Sequence, residues 1–156
     1  GRYSSDEVTR GDVTIAGYIV DTNIPRAPKC AIHRTGKRDP DNCDSELPTF
    51  VLADTRDASA EAPRIRVVGW ARNFAAVYEA QLLAQSPASA PFKDDIFGVD
   101  VPRPLPGVGA KVKVRGRYGF TFTKSSRGVL ADPKSGVMTY AAVEYLEPAK
   151  PAVLTP

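Results

Sequence analysis

KVKVRGRYGFTFT, from Lys111 to Thr123, alternates so strictly that it sorts into two faces. Val112, Val114, Gly116, Tyr118, Phe120 and Phe122 fall on one side. Lys111, Lys113, Arg115, Arg117, Gly119, Thr121 and Thr123 fall on the other. Successive side chains of a strand point to opposite faces, so the segment reads as one long β-strand with an apolar, aromatic core face. Its other face opens with a ladder of four cations, the clearest functional clue in the chain.

Working back from this strand, Asn73 stands where a helix N-cap belongs, and Phe74, Val77, Tyr78, Gln81 and Leu82 share a face at helical spacing. Before it, RIRVVGW alternates Ile65 and Val67 with Arg64, Arg66 and Val68 and reads as a third strand. TFVLAD, ending at Asp54, reads as a second. DVTIAGYIVD is the first, with Val13, Ile15, Gly17 and Ile19 on one face and a glycine where a barrel strand would bend. Between helix and long strand, FKDDIFGVDVPRPLPGVG reads as an extended connection anchored by Phe92, Ile96, Phe97 and Val99. Beyond the long strand, KSSRGVLADPKSG reads as a loop and VMTYAAVEYLE as the closing strand. The expected division is an arm over 1–11, a domain over 12–147 and a proline-rich tail over 148–156, suited to a linker or to a strap along another subunit.

With 156 residues, 42% of them hydrophobic, one ordinary core suffices. A net charge of +3 is below that of a dedicated nucleic-acid binder, so charge matters only where it clusters. No apolar run approaches the roughly 18 residues that would cross a bilayer as a helix. Cys30 and Cys43, the two cysteines, bracket the polar segment AIHRTGKRDPDN. An intrachain disulfide there closes a loop for which the chain-entropy model gives roughly 3 kcal/mol. It implies an oxidising location: periplasm, outer envelope or extracellular space. Two unrelated thiols in a reducing compartment are the alternative.

Three strands, a helix, a long strand and a last strand resemble, in length and order, the five-stranded OB-fold barrel. The phrases VTIAGYIVD, FVLAD and GAKVKVRGRYG carry the resemblance, which is to small bacterial OB-fold proteins of the tRNA-anti-like group. It implies an all-β, five-stranded OB-fold-like barrel with one helix between strands three and four and a disulfide-braced loop between strands one and two. It implies little about function, because this barrel serves nucleic acids, sugars, proteins and metals.

The candidate binding residues are Arg64 and Arg66 in strand three, Lys113, Arg115 and Arg117 on the ladder, and Lys124 and Arg127 in the loop that follows. Trp70 is the candidate stacking platform. Single-strand grooves need cations for phosphates and exposed rings for bases. Parity sends Tyr118, Phe120 and Phe122 to the core, which leaves Trp70 almost alone. Cys30, His33 and Cys43 with Asp41 or Asp44 match no common zinc spacing, and the aspartates depart from the EF-hand pattern. Asp94 and Asp95, a carboxylate pair on a loop, read as solvated. With His33 in a polar loop and no nucleophile or phosphate-binding motif, neither a catalytic residue, a cofactor nor a metal is expected. The sequence favours a non-enzymatic binding or accessory module of the envelope or secreted space, a subunit that contacts a protein partner. A single-stranded oligonucleotide binder using the basic strand is the alternative.

Overall fold

The computed structural model describes residues 12–33, 38–59, 61–86, 88, 90–94, 96–125 and 128–155, and, of these, the side chains outside 119–135. The elements are β1 (Asp12–Thr22), β2 (Phe50–Ala53), β3 (Arg64–Val68), α1 (Phe74–Leu83), β4 (Lys93–Asp94), β5 (Val99–Asp100), β6 (Lys111–Ser125) and β7 (Gly128–Glu147). Five of the strands form a ring in the order β1-β2-β3-β7-β6, a closed barrel. Every pairing in it is antiparallel except that of β3 with β7, which is parallel. Two turns of 3-10 helix, Ile24–Arg26 and Lys29–Ala31, begin the long β1–β2 connection. No helix is long and apolar enough to cross a membrane among the described residues.

Closure depends on β1 serving two neighbours. Its first half pairs with β6, from Asp12↔Arg117 to Tyr18↔Lys111, and its second half pairs with β2, from Tyr18↔Ala53 to Thr22↔Phe50. Gly17 lies at the handover, where a Cβ would come within 2.9 Å of the Ala53 carbonyl oxygen. Glycine is required there because the space a side chain would fill is taken by β2's backbone.

Val112 and Val114 are fully buried while Lys113, Arg115 and Arg117 are exposed, as parity requires. With Ile19, Phe50, Leu52, Val67, Met138 and the helix residues Phe74 and Val77 they form the core. Each such side chain contributes roughly 1.5–3 kcal/mol on burial. Phe120 and Phe122, expected on the same face, have side chains outside the described residues. So does Lys124, and the whole of Arg127 and of the arm 1–11.

The helix starts where expected: the Asn73 side chain accepts a 2.8 Å hydrogen bond from the Ala76 N–H. Its buried surface differs from the expected stripe. Tyr78, Gln81 and Leu82 are half-buried, while Ala75, Ala76 and Ala80 are buried beside Phe74 and Val77. Alanines let the helix sit close against the barrel, so its inner surface is wider than large hydrophobes alone suggest.

Three expectations about the connections are corrected. Residues 124–125 and 128–136, expected in a loop, are strand: β6 and β7 continue as a two-stranded ribbon to the pair Ser125↔Gly128. Pro133 is accommodated because the register slips there, from Phe120↔Gly136 to Phe122↔Ala131, leaving residues 132–135 opposite Thr121. In the connection after the helix, Phe92 and Val99 pack on the core, but Ile96 and Phe97 stand out at 67% and 39% exposure. They occupy the tip of the β4–β5 hairpin rather than anchoring it. The tail is bound by its own chain: Leu154 is buried, its N–H donates to Gln81 Oε1 at 2.7 Å, and Gln81 Nε2 donates to its carbonyl at 3.0 Å. The Ala152 N–H also donates to Pro106 O at 3.3 Å.

Candidate functional site

The cation ladder lies on the outer surface where β6 runs between β1 and β7. Its rungs face acids. Arg117 is opposite Asp12, Lys113 opposite Glu144 and Lys111 opposite Glu147. Arg115 reaches Asp12 at 3.9 Å, and Arg56 takes Glu147 at 2.8 Å while donating to Gly109 O at 3.2 Å. Tyr18 lies between Arg56 and Lys111, whose charges are 5.1 and 5.6 Å from its ring centre. Exposed pairs of this kind contribute little to stability, but they interleave the signs and deny a polyanion a continuous track.

Trp70 is not a platform. It is fully buried, donates its indole N–H to Val67 O at 3.2 Å, and packs against Phe50 with ring centres 5.8 Å apart. Counting by alternate residues puts it on the outer face with Arg64, Arg66 and Val68. Gly69, at φ 82°, breaks that alternation and turns the indole inward. Its ring therefore serves the core and is removed from the binding residues.

A concave surface lies elsewhere among the described residues. On the outer face of β1, β2 and β3, a groove of about 420 Å³ is lined by Asp21, Asn23, Arg26, Glu46, Leu47, Thr49, Val51, Arg66 and Val68. A second hollow of about 350 Å³ adjoins it, sharing Asn23, Arg26 and Glu46 and adding Pro28, Asp44, Ser45 and Phe74. The β1–β2 connection bounds one end. At the other, β3 begins at Arg64 beside Ser135, where the β6–β7 ribbon joins the barrel. Of the two strand-three arginines, Arg66 lies in the groove; Arg64 is half-buried and donates to Ser59 O at 3.0 Å.

The lip of the groove is fixed by one buried amide. Asn23, 5% exposed, donates to Leu47 O and accepts from the Thr49 N–H, both at 2.8 Å, as a strand backbone would. Thr22 Oγ1 adds a 2.8 Å hydrogen bond to Thr49 O. Residues 47–49 thus enter β2 in a set position and present Leu47, half exposed, over the groove. At the rim Arg26 donates to both oxygens of Asp21, at 3.2 and 3.3 Å. These hydrogen bonds, that carboxylate's charge and, least, Glu46 raise the Arg26 pKa above its ordinary value.

Cys30 and Cys43 form the disulfide, with Cα atoms 5.8 Å apart, and it closes just before the groove residues Asp44 to Leu47. A bond of this kind persists in oxidising compartments outside the cytoplasm. Both sulfurs are thereby withdrawn from metal ligation. His33 Nε2 and Asp39 Oδ1, 2.9 Å apart, brace the loop from within. Among the described residues no three His, Cys, Asp or Glu side chains cluster as a metal site.

Asp94 also departs from expectation: it is fully buried rather than solvated. Oδ1 accepts from the N–H groups of Ile96 and Phe97 at 2.9 and 3.0 Å, and Oδ2 from that of Arg72 at 2.6 Å. The carboxylate shapes the β4–β5 turn and ties it to the segment entering α1. The missed groove residues, Asn23, Leu47, Thr49 and Val51, carry no motif; the turn-forming Asn23 immediately after a strand was the available signal. No known family model matches the chain, and no curated protein matches it.

Proposed function

We propose that this chain is an OB-fold-type, non-enzymatic binding module of the periplasm, outer envelope or secreted space, which holds a protein partner in the β1–β2–β3 groove. The observation that carries this reading is the lining: aliphatic Leu47, Val51 and Val68 set among charges of both signs, Asp21, Arg26, Glu46 and Arg66. A mixed aliphatic and ion-paired surface suits a polypeptide. Single-stranded nucleic acid would call for stacked rings and unopposed cations. The ring order, with the third barrel strand parallel to the last, agrees with an OB-type barrel. In that fold the face of strands two and three, between the first and last connecting loops, is the usual binding surface.

The test is site-specific photo-crosslinking in the organism of origin. A benzophenone side chain at position 68, in the groove, is expected to give a discrete protein adduct. The same group at position 113, on the ladder, is expected to give none. Salt-sensitive binding of oligothymidine to groove residues, with no protein adduct at position 68, overturns the reading in favour of an oligonucleotide binder.

A further inference from the structure

The groove has a polarity that narrows what can occupy it. Arg26 is engaged by Asp21 in two hydrogen bonds, with Glu46 nearby. Arg66 is different: it is exposed, and among the described residues neither an ion pair nor a hydrogen bond engages its guanidinium. Its lateral neighbours are both valines, Val51 on β2 and Val137 on β7. No acid stands beside it on either neighbouring strand, so a carboxylate placed on the guanidinium meets a cation that the sheet has left unpaired. Two residues along the same strand and face stands Val68.

Resting on the protein-binding reading above, we propose that the groove takes an extended segment of the partner that carries a carboxylate and, two positions away from it, an aliphatic side chain. The carboxylate lies on Arg66 and the aliphatic side chain on Val68. Alternate residues of an extended chain project to the same side about 6.6 Å apart, the same interval that separates Arg66 from Val68 along β3. One unopposed cation matches one carboxylate. With Arg26 already paired to Asp21 and with Glu46 at the lip, the groove offers no second free cation among the described residues, which disfavours a phosphodiester chain of repeating charge.

The assignment is tested on the intact, oxidised protein by amide chemical-shift titration with three capped nine-residue peptides of serine and threonine. The first has glutamate at position four and valine at position six, the second replaces the glutamate by glutamine, and the third moves it next to the valine. The first is expected to shift Val51, Arg66 and Val68. The second and third are expected to bind about tenfold more weakly, and Arg66→Gln is expected to cost the first peptide the same factor. Because Arg66 is exposed, the variant's spectrum away from the groove should be unchanged. Equal binding of the three peptides at the groove overturns the spacing and charge assignment while leaving the protein-binding reading in place. An absence of groove shifts with every peptide also overturns the assignment. Salt-sensitive displacement of the first peptide by oligothymidine overturns both.

Discussion

Asp94 gives one carboxylate to three backbone N–H groups, two in its own turn and one at Arg72, twenty-two residues earlier. Asp94→Asn can keep an oxygen toward Ile96 and Phe97, but it turns an amide N–H₂ against that of Arg72. The expected loss is about 2 kcal/mol in urea unfolding, because a buried donor is left without its charged acceptor. Asp94→Ala should lose more, as the turn goes too. Residues of this kind are hard to read in a sequence. Adjacent aspartates on a loop look alike, and what distinguishes Asp94 is an amide on a distant segment. Trp70 failed for a related reason: alternation is reliable only while the backbone stays extended, and Gly69 ends that one residue too soon. Val112, Val114 and Val67 sit inside uninterrupted alternation and were placed correctly.

At the level of elements, the C-terminal segment and α1 act as one unit. Gln81 pairs with the backbone of Leu154 through both its donor and its acceptor, and Leu154 fills a site 3% exposed. Leu154→Ala is therefore expected to cost about 2–3 kcal/mol in thermal or urea unfolding. Gln81→Ala should free the segment and raise hydrogen exchange at the Leu154 amide without unfolding the barrel. A run such as PAKPAVLTP carries no periodicity, so its docking depends on a partner surface that only the folded barrel supplies. The strands, the helix and its Asn73 cap were legible because their signals are local. The β6–β7 ribbon was not, since Gly, Pro and Ser in 124–136 mimic a loop and the register slip that absorbs Pro133 is a property of two strands together.

For the molecule as a whole, alkaline pH tests the closed core. Burial, above all, raises the pKa of Tyr140, with Asp100 adding to the rise; burial does the same for Tyr145, whose hydroxyl donates to Pro104 O at 2.6 Å. An unfolded tyrosine releases its proton near pH 10, so the stability these phenols contribute is complete below about 10 and is lost as pH rises beyond it. Ultraviolet titration of tyrosinate should show Tyr140 and Tyr145 ionising late, together with the loss of secondary structure. Tyr140→Phe and Tyr145→Phe should each remove one from that late step. The barrel could be inferred from strand order, but the groove could not, because it is assembled from β1, β2, β3 and a long connection whose course is set by Asn23 and the disulfide. That tether separates two kinds of change. Ala31 is buried and Ile32 packs on the core on one side, and Cys43 holds the returning chain on the other. A peptide grafted between His33 and Asp39 is therefore expected to leave Asp44–Leu47 in place, because the disulfide fixes the chain where it returns to the groove.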